Sequence, residues 1–130
     1  MDAHTHRIGH DLVEVERFRA ALERHGEGWR RRVFTEGEWE AASKRPDRAA
    51  VLAARFAAKE AALKALGTGW GKGVAWKDVE VVGGERTAPA LVLQGVAQRI
   101  ADEAGVRLEV SLTHTDSLAS AVVIAAPRIT

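Results

Sequence analysis

Between Asp47 and Gly67 the chain lacks the broad polar face that most surface helices carry. Counted at about 100° per residue, Leu52, Phe56 and Leu63 share one apolar stripe. Glu60 falls in the middle of that stripe, with Lys59 and Lys64 on its flanks. The opposite side is alanine at Ala54, Ala57, Ala58, Ala61, Ala62 and Ala65. The pattern predicts one long, largely buried helix that is capped by Asp47 and stopped by Gly67.

Elsewhere the periods are shorter. Arg7 to Val15 alternates as a strand, with Ile8, His10 and Leu12 on one face and Asp11, Val13 and Val15 on the other. Glu14 to His25 carries Val15, Phe18, Ala21, Leu22 and His25 at helical spacing, and Gly26 and Gly28 are expected to end that helix. Thr35-Glu36-Gly37-Glu38 is a capping-box sequence that opens a short helix reaching about Ser43. After Gly73 the period changes to two. Val79–Val82 and Ala90–Leu93 read as strands joined across Gly83-Gly84, and Pro89 leads into the second. A helix over Val96–Ala104, stopped by Gly105, precedes a strand over Val106–Thr113. Ala119–Ala126 is continuously apolar and predicts a strand buried on both faces. The fold expected is α+β, one domain over residues 1–130, with the long helix packed on a mostly antiparallel sheet.

Composition changes this picture little. The chain has 130 residues, 46% of them hydrophobic and 28% charged, which suits one domain with a modest core. A net charge of +1 argues against a general nucleic-acid binder. With no cysteine there is no disulfide, thiolate metal site or cysteine nucleophile. No apolar run is long enough to cross a membrane and the first residues lack a signal core, so a cytoplasmic protein without membrane contact is expected.

Two carboxylates are poorly explained by structure alone. Asp11 shares a strand face with two valines, and is read either as a cap for the next helix or as a ligand. Glu60 can pair with Lys64, bind a cation or act as a general base, since a stranded buried carboxylate needs a partner. Arg55 and Lys59 are like charges four apart, which calls for an anion nearby. Gly67-Thr68-Gly69 lets backbone approach a ligand, although Gly67 is equally a helix stop. His4, His6 and His10 cluster near the start, where a solvated terminus is the simpler reading than a metal site. Ser111, His114 and Asp116 suggest a hydrolase only weakly, because Ser111 and His114 would point to opposite faces of a strand.

Four blocks taken together resemble the holo-acyl-carrier-protein synthase family of 4′-phosphopantetheinyl transferases. They are Ile-Gly-His-Asp-Leu-Val-Glu-Val-Glu-Arg-Phe at 8–18, Phe34-Thr35 with Glu38, Ala-Arg-Phe-Ala-Ala-Lys-Glu-Ala with Lys-Ala-Leu-Gly-Thr-Gly at 54–69, and Val-Ser-Leu-Thr-His-Thr at 110–115. The resemblance implies transfer of the phosphopantetheine arm of coenzyme A, as co-substrate, to a serine of an apo acyl carrier protein. It also implies a homotrimer with active sites between subunits. It places Mg2+ on Asp11 and Glu60. Coenzyme A contacts fall on Arg55, Lys64, Gly67, Thr68, Gly69, His114 and Thr115. Arg17 and Arg24 fall where the family meets its acidic carrier. Glu60 is the first choice of base, and Lys64 the group that steadies the phosphates. Against the family pattern, His10 stands at a usually apolar or small position, and Thr87-Ala88-Pro89 replaces a Gly-Lys-Pro hairpin. The alternative is a non-catalytic module that binds coenzyme A or an acidic partner.

Overall fold

The computed structural model describes residues 6–69 and 71–129; His4 lies outside them. Chain order is β1 (Arg7–Glu14), α1 (Val15–Val33), α2 (Glu36–Ser43), α3 (Arg48–Leu66), a 3-10 turn (Trp76–Asp78), β2 (Val79–Val82), β3 (Ala90–Leu93), α4 (Gly95–Ala104), β4 (Val106–His114) and β5 (Leu118–Pro127). Among the described residues β5 pairs antiparallel with both β1 and β4, and β2 and β3 form a separate antiparallel hairpin. The α+β expectation holds.

Helix α3 is the shared wall of two apolar clusters. Its first half, Ala49 to Ala54, packs with Val15, Phe18, Val33, Phe34 and Ala119. Its second half packs with Val79, Val81, Ala97, Val106 and the inner face of β5. Alanine makes this possible, because small side chains let strands approach the helix on several sides. The closest approach is at Gly9, where an added Cβ would lie 1.8 Å from the Ala61 carbonyl oxygen. Gly9→Ala must therefore push β1 off α3. We expect a loss of about 1–3 kcal/mol, measured as a lower urea midpoint with an unchanged slope.

The exposed edge of α3 differs from the expected one. Phe56 and Glu60 are half-buried and Lys64 is exposed, while Leu52 and Leu63 are in the core. Glu60 thus lies on the solvent-reaching edge of the helix and not on a core-facing stripe. Lys59, expected beside it, is fully buried against Glu38 with their charged atoms 2.9 Å apart. Glu38 supplies the anion that the Arg55–Lys59 spacing called for. Arg55 is held differently, donating to the carbonyls of Val81 and Gly83 at 2.7 and 3.2 Å.

Thr35 and Glu38 form the capping box, each side chain bonding the other's backbone N–H. The first helical run stops at Gly26 as expected, where the backbone leaves helical geometry (φ 72°, ψ −166°); beyond this kink a second run, not expected from the sequence, continues through Val33. In it Glu27 pairs with Arg30 and Arg31. Two expectations need correction. Strand β5 is buried on one face only, with Leu118, Val122 and Ile124 exposed on the other. Asp47 stands at the N-cap of α3 without making a side-chain cap.

Candidate active site

Strand β1 and helix α3 meet at Gly9, and this contact delivers Asp11, two residues on, beside Lys64. The Lys64 ammonium donates to Asp11 Oδ1 at 3.3 Å and to the His10 carbonyl at 3.0 Å. Asp11, Glu60 and Lys64 all line one cleft of about 780 Å³. Its opposite rim is α1, which contributes Arg17, Ala21 and Arg24. Phe18, Trp29 and Phe56 form an aromatic floor, and Phe56 stacks on Trp76 with centroids 5.0 Å apart and planes at 22°. Five residues singled out from the sequence therefore share one cleft: Asp11, Arg17, Arg24, Glu60 and Lys64. The aromatic floor was missed, since aromatics at helical spacing ordinarily signal core.

His114 and Arg55 border a second cavity, of about 220 Å³, with Arg45, Thr113, Gly84 and Glu85. His114 Nε2 lies 3.0 Å from Asp47 Oδ2, and Arg45 donates to the same oxygen at 3.2 Å. Burial alone would raise the Asp47 carboxyl. The His114 hydrogen bond, its own backbone amide and the Arg45 charge outweigh burial and hold it below the ordinary value of 3.8. The stabilisation is thus present at neutral pH and lost as pH falls through the lowered value. Arg55 is pulled below its usual range by burial, and the charges of Glu38, Glu85 and Glu80 partly offset this. Leaving an N-cap unmade typically costs about 1 kcal/mol, so Asp47 gives up a local role for these distant contacts.

The remaining expected residues lie at chain turns. Gly67 closes α3 in the left-handed region (φ 77°), followed by Thr68 and by Gly69 (φ 58°). Thr115 Oγ1 accepts from the backbone amides of Ser117 and Leu118 and so shapes the β4–β5 turn. The hydrolase reading fails on geometry. His114 takes Asp47 as its carboxylate and not Asp116, and Ser111 faces out from the sheet opposite Val122. His10 bonds Ser120 on the outer sheet face, and no cluster of three or more metal-binding side chains exists among the described residues. No helix there is long and apolar enough to cross a membrane.

Residues 7–123 match the family profile of the 4′-phosphopantetheinyl transferase superfamily. The chain belongs to that superfamily. It is accordingly a transferase. It is 44% identical to a holo-[acyl-carrier-protein] synthase of Solibacter usitatus over 89% of this chain and 94% of that one. It is 48% identical to the holo-[acyl-carrier-protein] synthase of Methylobacterium radiotolerans over 90% of each. Among solved structures, the Chronobacterium ammoniagenes ACPS–CoA complex superposes with a TM-score of 0.82 at 30% identity, covering 96% of this chain and 99% of that one. The Helicobacter pylori holo-[acyl-carrier-protein] synthase in complex with coenzyme A gives 0.79 at 28% identity, over 92% of this chain and 99% of that one.

Proposed function

We propose that this transferase is a holo-acyl-carrier-protein synthase, moving the 4′-phosphopantetheine arm of coenzyme A to a serine of an apo acyl carrier protein. The observation that carries the reading is the meeting of Asp11, Glu60 and Lys64 in one cleft whose far rim is basic. The names of the relatives and the coenzyme A complexes among the solved structures support the same reaction.

In this reaction the serine Oγ attacks the phosphorus that bears the arm. A new O–P bond forms, the bridging P–O bond breaks, and adenosine 3′,5′-bisphosphate leaves. The hydroxyl proton passes to the Glu60 carboxylate, a general base at the cleft edge. Lys64, already held by Asp11 and the His10 carbonyl, donates charge-assisted hydrogen bonds to the diphosphate. Magnesium is commonly held by one or two carboxylates completed by substrate phosphates, and Asp11 and Glu60 fit that donor set. Bound there, it would neutralise charge on the leaving phosphate. Arg55, His114 and Thr115, with Gly67, Thr68 and Gly69, hold coenzyme A in this reading.

The coenzyme A residues are divided between two cavities of one chain. An assembly in which one copy's second cavity completes its neighbour's cleft resolves this. The outer sheet face supports such an assembly, with Ile8 and Leu12 exposed by 68% and 59% beside Val122 and Ile124. We take the assembly to be a homotrimer of 130-residue, single-domain chains, acting in the cytoplasm in fatty acid or polyketide synthesis.

The decisive assay is mass spectrometry of apo carrier protein incubated with coenzyme A, with and without magnesium. A gain of one phosphopantetheine arm is expected only with the metal. Tight coenzyme A binding with no transfer to any carrier would instead identify a binding module. Arg17 and Arg24 are exposed on the α1 rim. Charge reversal of both should raise KM for the carrier on the order of 10–100-fold, and the effect should shrink with added salt.

A further inference from the structure

We propose that Asp47 is a positioning residue for coenzyme A, acting through His114. The proposal rests on the reading that His114 meets a phosphate of that substrate. Asp47 occupies the N-cap position of a 19-residue helix, where its side chain would ordinarily accept from the first turn, and it makes no such bond. Its Oδ2 is instead 3.0 Å from His114 Nε2, on a strand 67 residues away. Arg45 holds the same oxygen and also lies 3.6 Å from Glu85.

The chemistry follows from which ring nitrogen is occupied. With Nε2 turned to the Asp47 carboxylate, Nδ1 is the ring nitrogen left for a ligand, and when both nitrogens carry protons it is a donor. A phosphate oxygen is the natural acceptor for that donor. The groups around the ring are Asp47 and Arg45 from the α2–α3 turn, Arg55 from α3 and Glu85 from the β2–β3 connection. Two guanidinium groups, Arg45 and Arg55, line the cavity with the ring; the Asp47 and Glu85 carboxylates partly offset them, and Asp47 orients the ring toward an incoming anion. Without Asp47 the ring loses the partner that fixes its orientation.

Asp47→Ser separates this role from a structural one, because serine is a good N-cap and cannot reach His114 as a carboxylate does. The readouts are thermal stability, calorimetric binding of adenosine 3′,5′-bisphosphate, and steady-state kinetics. Expected are little net change in stability, because the new serine cap offsets the lost contacts to His114 and Arg45, bisphosphate affinity and coenzyme A KM each worse by roughly tenfold, and unchanged kcat and carrier KM. Unaltered bisphosphate affinity and KM would overturn the proposal. Asp47→Ala, which removes the acceptor altogether, repeats the test should the serine variant fold poorly. His114→Ala is the control. If it leaves bisphosphate binding intact, the assignment of His114 to coenzyme A fails. If it weakens binding and Asp47→Ser does not, only the positioning role fails. The two changes together should cost no more than His114→Ala alone, and full additivity would show that Asp47 acts by another route.

Discussion

Replacing Glu60 by alanine should lower kcat/KM for carrier modification by at least about 10³-fold while the protein stays folded. Asp11→Ala should do nearly the same. Both side chains are half-buried and line an open cleft, so removing them opens no hole in the core. The chemical loss is large because each carboxylate serves twice. Glu60 is both base and cation ligand in the proposed reaction. Asp11 is a ligand and also the anchor of Lys64, through the 3.3 Å contact. Groups that act as a unit lose activity together, so the double variant should be hardly worse than either single one. The measurement is arm transfer by mass spectrometry across a magnesium titration, with circular dichroism reporting the fold. Full activity in either variant would remove the two-carboxylate argument.

How this site reads from the sequence depends on whether its contacts are local. The Thr35–Glu38 capping box joins residues only three apart, and it is present as expected with both bonds made. The burial of α3 was equally legible, because no arc of the helix is polar. Which arc reaches solvent was not. Leu52, Phe56 and Leu63 look equivalent around the wheel, and only the tertiary packing leaves Phe56 and Glu60 at the edge. Gly26 stops the first helical run as read, but no apolar period announced the second run that follows it to Val33. The partners of Asp47, Lys59 and Arg55 lie 67, 21 and 26 residues away. No periodicity reports a pairing at such distances. The outer face of β5 was read as core because apolar residues signal burial without saying whether the same chain provides it.

Lys59 carries the largest expected effect on stability. Its ammonium is fully buried, 2.9 Å from Glu38 Oε1, and it donates to the carbonyls of Trp76 and Val79. Glu38 in turn accepts from the amides of Thr35 and Val81. One ion pair therefore ties α2, α3, the 3-10 turn and β2 together. Lys59→Met keeps the volume and strands a buried carboxylate, which should cost about 3–5 kcal/mol. Adding Glu38→Gln removes the stranded charge and should recover a large part of that loss, a coupling that a denaturant-based double-mutant cycle reads directly. Burial is the main influence on Lys59 and lowers its proton affinity, with Glu38 opposing it, so the net shift is down from 10.5. Across that interval the unfolded chain holds the proton more tightly than the folded one. Taken alone, this group makes the wild type gain stability as pH rises toward 10.5. Lys59→Met should lack that gain. Because the 3-10 turn also carries Trp76, which stacks on the Phe56 floor of the cleft, the stabilised double variant should still transfer the arm more slowly than wild type. Full activity there would confine the pair to holding the fold.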